Sequence, residues 1–582
     1  MVEGGPIDVL TGDWLAELTM LILAKSKSPA GGGYARTFVT QMEQVMGTCL
    51  DRGIKVVANA GGLDPQACAA AVREVADRLG LAPKIAWVTG DDLLPRIDDL
   101  RDAGEQFRHL DTSQEFGDRT AMTANAYLGG WGIVEALTRG ADIVITGRVT
   151  DAAVVVGPAA WHHGWKNDNW NALAGAVVAG HVIECGAQAT GGNYSFFTEI
   201  PDMFHPGFPI AEVFADGSSI ITKHEGTGGR VDVGTVTAQL LYEIQGTRYL
   251  NPDVTTRFDS IRVHMDGLDR VRIDGVEGEP PPATTKVCIN LEGGYRNSMT
   301  FCLTGLDIAA KAKLVEDSFW PHQRGGRDAF AETATRLVRS DKENPASNEE
   351  AVAYLTLIAK DPDERKVGRA FANVGIELAL SSYPGMFGMG GPSGAQAYGV
   401  YWPALIPSSL VSHEVHLDGV VTSVDAAVAG AQIEAAKTDE PLASINPNIR
   451  HPFDEMTVQV PLGRLVGARS GDKGGNANVG VWARSERAYE WLDWFLTTER
   501  LRSLMPETAE LVVRRYALPN ISALNFVIEG LLGEGVASSV RLDPQAKSLG
   551  EYLRAKLVEM PQSLVPPSTQ AVSPIGSDSP VG

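Results

Sequence analysis

Four times before residue 152 this chain drives a short, wholly apolar run into a glycine-containing turn: "IDVLTGD", "KVVANAGGLDP", "KIAWVTGDD" and "ADIVITGRVTD". Runs that are apolar on every residue, separated by helical patterns, belong to strands buried on both faces. That is the signature of a parallel sheet covered by helices on its two sides. The second unit is the fullest. Asp64 stands where a helix cap belongs, Pro65 suits a first helical turn, Cys68, Val72, Val75 and Leu79 line one face, and Gly80 can end the helix. In sheets of this kind ligands bind beyond the carboxyl ends of the strands. That rule brings Asp13, Asn59, Asp91, Asp92, Arg148 and Asp151 to one edge.

A length of 582 residues predicts more than one folding unit. The formal net charge of -22 repels polyphosphate backbones, and no basic cluster offsets it, so nucleic acid is not an expected partner. Five cysteines without a CxxC pair give neither a disulfide framework nor a zinc ribbon, which implies a reducing compartment. With no membrane-length apolar run and no signal-like start, a cytoplasmic location and no membrane partner are expected. A homo-oligomer is expected only as the general prior for such enzymes.

The expected fold class is α/β, a large domain with a mostly parallel sheet covered by helices, followed by a C-terminal ferredoxin-like α+β domain. The large domain is placed at 1–440, with inserted antiparallel strands over about 248–304, among them "TTKVCINLEG" and "NSMTFCLTG" as separate pieces. "ELALSSYPGMFGMGGPSGAQAYGVYWPALIP" reads as a long ordered loop or lid, too rich in Gly and Pro for regular structure. A linker is placed at 441–455, the second domain at 456–562 and a compositionally disordered tail at 563–582.

Three segments carry candidate chemistry. "HVIECGAQATGG" sets His181 and Glu184 on one helix face with Cys185 beside them, an arrangement for general acid or base work by a buried carboxylate, or for an activated thiol. A small cysteine packed in a core accounts equally for Cys185. As a metal site the cluster lacks a second ligand pair, so no metal is assigned to it. "TGRVTD" offers Arg148 for a carboxylate or phosphate, while Asp151 serves either the site or the cap of the next helix. "HEGTGGRVDV" places Gly226, Gly228 and Gly229 just ahead of a helix, where free amides favour an anion, and Lys223 and His224 add charge beside them. A strand-to-helix turn that binds nothing explains the same glycines. In the second domain "ARSGDKGGNANVG" packs Arg469, Ser470, Asp472 and Lys473 into one loop between strands, either a solvated hairpin or a finger reaching the large domain's crevice. Walker A, GxGxxG after a strand and GxSxG are all missing.

Taken together, "GDWLAE", "NAGGLDP", "TGRVTDAA", "ECGAQATGG", "GTGGRV" and "ARSGDKGGNANVGVWAR" resemble the acyclic terpene utilisation family, AtuA. The likeness spans nearly the whole chain, and implies the large domain through about residue 440 and a ferredoxin-fold domain over about 456–562. Many members carry a stretch ahead of the first strand that this sequence lacks, so a clipped or misassigned start would leave a strand out. The resemblance implies a place in catabolism of branched terpenoids such as citronellol and geraniol, whose intermediates are CoA thioesters. On it rests the expectation of an acyl-CoA hydratase or lyase that requires no cofactor, takes the CoA thioester as substrate form, and moves its proton through Glu184. In that reading Arg148 and the Gly226 to Gly229 loop hold anionic parts of the substrate, Asp151 and Asn59 orient it, and Cys185 and His181 are further catalytic candidates. Two alternatives stand beside it: a phosphoester or phosphoanhydride hydrolase with a divalent cation on Asp13, Asp91 and Asp92, and a noncatalytic accessory subunit of a terpenoid carboxylase.

Overall fold

The computed structural model describes residues 1–27, 32–425, 453 and 455–566. Most of the expected linker, and the expected tail from 567 onward, lie outside the described residues.

The four strands read from the sequence, joined by two that were not, form one six-stranded sheet in the order Val9–Gly12, Lys55–Ala58, Ile143–Thr146, Ile85–Thr89, Ser412–Leu417, Val420–Asp425. The first four run parallel; Ser412–Leu417 pairs antiparallel with Ile85–Thr89, and Val420–Asp425 antiparallel with Ser412–Leu417. The reason for their continuous apolar character is visible in the packing. Val56, Ala58, Ile143 and Ile145 pack with helices Arg36–Arg52 and Pro65–Leu79. Val57, Val144, Ala86 and Val88 point the other way, into a core shared with helices Trp131–Thr138 and Ala153–His163. The Pro65–Leu79 helix keeps its expected punctuation: Asp64 accepts a hydrogen bond from Ala67 N–H at 2.9 Å, and Gly80 closes it with φ 68°. Leu79 differs from expectation: it lies on the same stripe as Cys68, Val72 and Val75, but as the last residue of the helix it is exposed to solvent.

Beyond this sheet the large domain carries a four-stranded antiparallel sheet, a small three-stranded one and a second large sheet. The last is built on one strand, Thr284–Thr304, where two shorter pieces are expected. A register shift between Glu292 and Gly294 joins the two apolar stretches, and Gly294 takes φ 105° there, so the glycine pair is a bulge and not a turn. Likewise most of the expected lid is regular structure. Gln396–Pro407 is a strand antiparallel to Thr284–Arg296. Its outer position lets Pro403 and Pro407 sit in a ladder without a missing hydrogen bond inside the sheet.

The C-terminal domain is a four-stranded antiparallel sheet, Val466–Lys473, Asn476–Ala483, Ala523–Ile528 and Val513–Leu518 in that spatial order, with Thr457–Pro461 paired to Leu557–Pro561. One face carries Val479, Val481, Leu524 and Phe526 into the domain's own core with Trp491 and Leu492. The other face abuts the large domain. There Asn478 donates to the Leu241 carbonyl at 3.0 Å, and a Cβ on Gly480 would lie 2.4 Å from Leu241 Cβ. Small and polar residues in mid-strand are thus the footprint of a docked helix end. The fold is α/β, a large domain with parallel strands joined to a C-terminal ferredoxin-like domain. Among the described residues no helix is long and apolar enough to cross a membrane.

Candidate active site

The carboxyl ends of the four parallel strands do meet, and they are stitched together by polar side chains. Asn59, fully buried, donates to Asp13 at 2.5 Å and accepts from Trp14 N–H at 2.6 Å. Asp91 accepts from Arg148 N–H at 2.9 Å and from Asn125 at 2.8 Å, and burial pushes its carboxyl up to about 7. The Arg148 guanidinium is buried and engaged through Nη1, while its Nε finds no partner among the described residues. It donates to the Leu15 carbonyl at 2.6 Å and to Asp151 at 2.9 Å, and lies 4.2 Å from the centre of the Tyr127 ring. Asp151 therefore pairs with Arg148 instead of capping the next helix, which starts at Ala153 with no side-chain cap. Asp13 is held well above the ordinary carboxylate range, by burial first and then by the neighbouring charge of Asp151, against the pull of Arg148.

His181, Glu184 and Cys185 arrive from the other side, at the end of helix Trp170–Ile183. His181 Nδ1 lies 3.5 Å from Glu184 Oε1, and the two side chains are 1% and 5% exposed. Among the described residues neither ring nitrogen of His181 nor Glu184 Oε2 has a hydrogen-bond partner. Tyr249 and Phe258 wall the imidazole, with ring centres 5.3 and 5.7 Å away. Burial raises the Glu184 carboxyl, His181 draws it back, and Asp151 adds to the rise. The Cys185 thiol is pushed far up by burial and by Glu184, so at neutral pH it stays a thiol.

The second domain enters through its "ARSGDKGGNAN" hairpin, and its residues divide into two groups. Arg469 donates to Gln188 and stacks 4.3 Å from the centre of the Tyr242 ring, while Ser470 accepts from Gly550 N–H at 2.9 Å. These two hold the hairpin to its surroundings. Asp472 lies 3.3 Å from Lys547 Nζ, which also reaches Glu243 at 3.0 Å; burial and then Glu243 push Asp472 up to about 6. Lys473 extends into the crevice, 5.9 Å from the centre of the Tyr249 ring, within the field of Glu17 and Asp151.

Several members of this cluster escape sequence reasoning. Glu17 Oε1 accepts from Tyr127 at 3.0 Å, with Lys286 and Tyr401 both at 3.4 Å. Burial alone would raise Glu17, but Lys286, Arg148 and Lys473 together hold it far below the ordinary range. The available signal was a lysine inside an apolar strand, Lys286 between Thr285 and Val287, a place that demands a buried partner.

The structure places the glycine loop with its Gly228 and Gly229 amides bound within the protein. Gly228 N–H is bound to the His205 carbonyl at 3.0 Å and Gly229 N–H to the Asp202 carbonyl at 2.6 Å. The helix that follows, Val233–Leu240, is closed by a capping box between Asp232 and Thr235, which takes up the Asp232 and Thr235 amides. Gly226 stands at the tip of this turn with φ 77°. Lys223 is taken by Asp269 at 3.1 Å and by the Thr227 carbonyl at 2.8 Å. Nor do Asp13, Asp91 and Asp92 form a cation seat, since Asp92 caps Leu94 N–H at 3.0 Å and Asp91 is tied to Arg148 and Asn125. Among the described residues no group of three or more His, Cys, Asp or Glu side chains is arranged to hold a metal ion.

An apolar cavity of about 310 Å³ runs between the Val9–Gly12 and Pro209–Val213 strands, each outermost in its sheet, with Trp161, Ile183 and Phe208 in its lining. A second, polar cavity of about 370 Å³ lies at Arg262, Arg272 and Asp274, apart from the cluster.

A family model described as acyclic terpene utilisation family protein AtuA matches residues 1–417, and one described as AtuA ferredoxin-like domain matches residues 460–559. No curated protein and no solved structure matches the chain.

Proposed function

The chain belongs to the acyclic terpene utilisation family AtuA, which supports a role in terpene catabolism, and on that premise we propose that it is an enzyme acting on a branched acyl-CoA thioester by hydratase or lyase chemistry. The observation that carries the proposal is Glu184: a carboxyl 5% exposed, raised by burial, with Oε2 bound to nothing. Hydration and carbon–carbon lysis next to a thioester both need one group that takes a proton and returns it. A carboxyl serves when its pKa approaches the working pH, and burial supplies that rise. His181 favours the ionised form at 3.5 Å, while Asp13 and Asp151 disfavour a further negative charge, so the proton is held loosely between competing pulls. Arg148 and Asn59 act as positioning residues, fixing Asp151 and Asp13 from within the protein.

The test is exchange of the protons next to the thioester of citronellyl-CoA in deuterated water, followed by mass spectrometry. Wild-type protein exchanges them, and Glu184→Gln, which keeps the shape and removes the base, slows exchange by roughly 100-fold or more. Equal exchange by the variant would take Glu184 out of the reaction.

A further inference from the structure

We propose that Lys473, brought in by the second domain, is the cation that the crevice keeps free for the negative charge of its substrate. The argument starts from the other cations of the cluster, each of which has a partner inside the protein. Arg148 is held by Asp151 and the Leu15 carbonyl. Lys286 sits on Glu17. Lys547 bridges Glu243 and Asp472, and Arg469 donates to Gln188. Lys473 is different. Among the described residues no carboxylate stands within ion-pair distance of its ammonium and none hydrogen-bonds to it, and it faces the Tyr249 ring at 5.9 Å. A half-buried ammonium without a partner is costly, and a structure retains one where a ligand completes it.

The surroundings keep the charge on. Burial works against the ammonium, but Tyr249, Glu243, Glu17 and Asp151 outweigh it and raise its pKa, so it remains a cation at neutral pH. The hairpin is built to deliver it. Gly474 turns with φ 64°, and a Cβ there would lie 3.1 Å from Tyr401; one on Gly475 would lie 2.3 Å from the Gly533 carbonyl oxygen. Only glycines pass that gap. Asn476 then pins the tip, donating to Asp111 at 2.9 Å and accepting from Gly530 N–H at 2.9 Å. Domain docking thus sets where the ammonium stands, and the site is complete only when both domains are in place.

The identity of the charge rests on the acyl-thioester reading, whereas the anion seat itself does not. In that reading Glu184 takes a proton from the carbon beside the thioester, the electron pair of the broken C–H bond moves to the carbonyl oxygen, and Lys473 donates a hydrogen bond to that oxygen. Return of the proton from Glu184 restores the thioester.

Two measurements on the full chain separate the parts. First, citronellate is titrated by calorimetry into wild type, Lys473→Met and Lys473→Arg, with melting temperatures recorded for each. Wild type binds, Lys473→Met binds at least tenfold more weakly at an unchanged melting temperature, and Lys473→Arg falls between them. Equal affinity of Lys473→Met, or no binding by wild type, overturns the seat. Should Lys473→Met melt early, Lys473→Arg decides alone, its retained binding supporting the seat and its loss with an unchanged melting temperature overturning it. Second, Glu184→Gln is titrated in the same way: it binds as wild type does if the seat is independent of the proton-transfer group. If exchange on citronellyl-CoA is untouched in Glu184→Gln while the citronellate result stands, the thioester reading fails and the anion seat survives.

Discussion

His181 Nδ1 stands 3.5 Å from Glu184 Oε1, one helical turn apart in a pocket where neither imidazole nitrogen finds a hydrogen-bond partner among the described residues. The pair is poised, not locked. Because His181 lowers the Glu184 carboxyl against the rise caused by burial, removing the imidazole raises that carboxyl further. His181→Phe fits among Tyr249 and Phe258 and should move the acid limb of the exchange rate to higher pH, each unit removing about tenfold of the ionised base below it. A pH–rate profile from pH 5 to 9 checks it, and an unmoved limb would mean the two groups do not communicate.

Cys185 is expected to be dispensable. Its thiol is pushed up by burial, then by Glu184 and Glu243, so the thiolate needed for attack is scarce at neutral pH. Cys185→Ala should keep exchange within about threefold of wild type, and iodoacetamide should label Cys185 slowly at pH 7.5. Loss of 100-fold or more in the variant would restore the thiol as a candidate nucleophile.

Gly228 tests whether the glycine loop is a turn or an anion site. A Cβ at this position would lie 2.8 Å from the Asp202 carboxylate, and the amides on either side of the residue's plane are bound to carbonyls. Gly228→Ala should therefore cost about 1–3 kcal/mol of stability by crowding. Affinity for citronellyl-CoA, measured on the folded protein, should be unchanged. A variant as stable as wild type that binds tenfold more weakly would reverse the assignment.

How far these features were legible depends on where their partners lie. Asp13, Asn59, Arg148 and Asp151 could be brought together from sequence because apolar strands fix a parallel sheet, and a parallel sheet fixes which ends converge. The Thr284–Thr304 strand was hidden by Gly293 and Gly294, which local reasoning takes for a turn although here they form a bulge. Gln396–Pro407 was hidden by its glycine-rich approach and by two prolines that only an outer strand tolerates. Glu17 and Lys286 are 269 residues apart in the chain, so their pairing follows from tertiary packing and from nothing local. For Lys473 the sequence supplied the loop, while its direction was set by the docking of two domains.

The Glu17–Lys286 pair, with each side chain about a quarter exposed, should behave as a partly buried charge pair does. Glu17 is pulled down by Lys286 and its neighbours against the effect of burial, so it stabilises the fold above its unfolded pKa and stops doing so as pH falls through the lower folded value. Lys286→Met leaves the carboxylate its hydrogen bonds from Tyr127 and Tyr401 and only the more distant charges of Arg148 and Lys473, and should cost about 2 kcal/mol at pH 7. Adding Glu17→Gln should recover most of that loss. Urea melts of the two single variants and the double variant give the coupling, and strict additivity would deny the interaction.

Asp253 predicts a pH dependence of opposite sign. Its carboxyl is 2% exposed, accepts from Gly130 N–H at 2.8 Å through Oδ2, and leaves Oδ1 without a partner against Gly129. Burial pushes it up to about 6. In the unfolded chain an aspartate titrates near 4, so the native state binds the proton more tightly. The stabilisation from this group is present in full below about 4 and is lost as pH rises through about 6, with a total of about 3 kcal/mol. Asp253→Asn keeps an oxygen for Gly130 and has no charge to bury. Relative to wild type the variant should therefore gain about 2 kcal/mol between pH 4 and pH 7, read from urea melts at the two values. Every other titrating group is common to both proteins and cancels in that difference, so a gap independent of pH would mean that Asp253 titrates alike in the folded and unfolded chains.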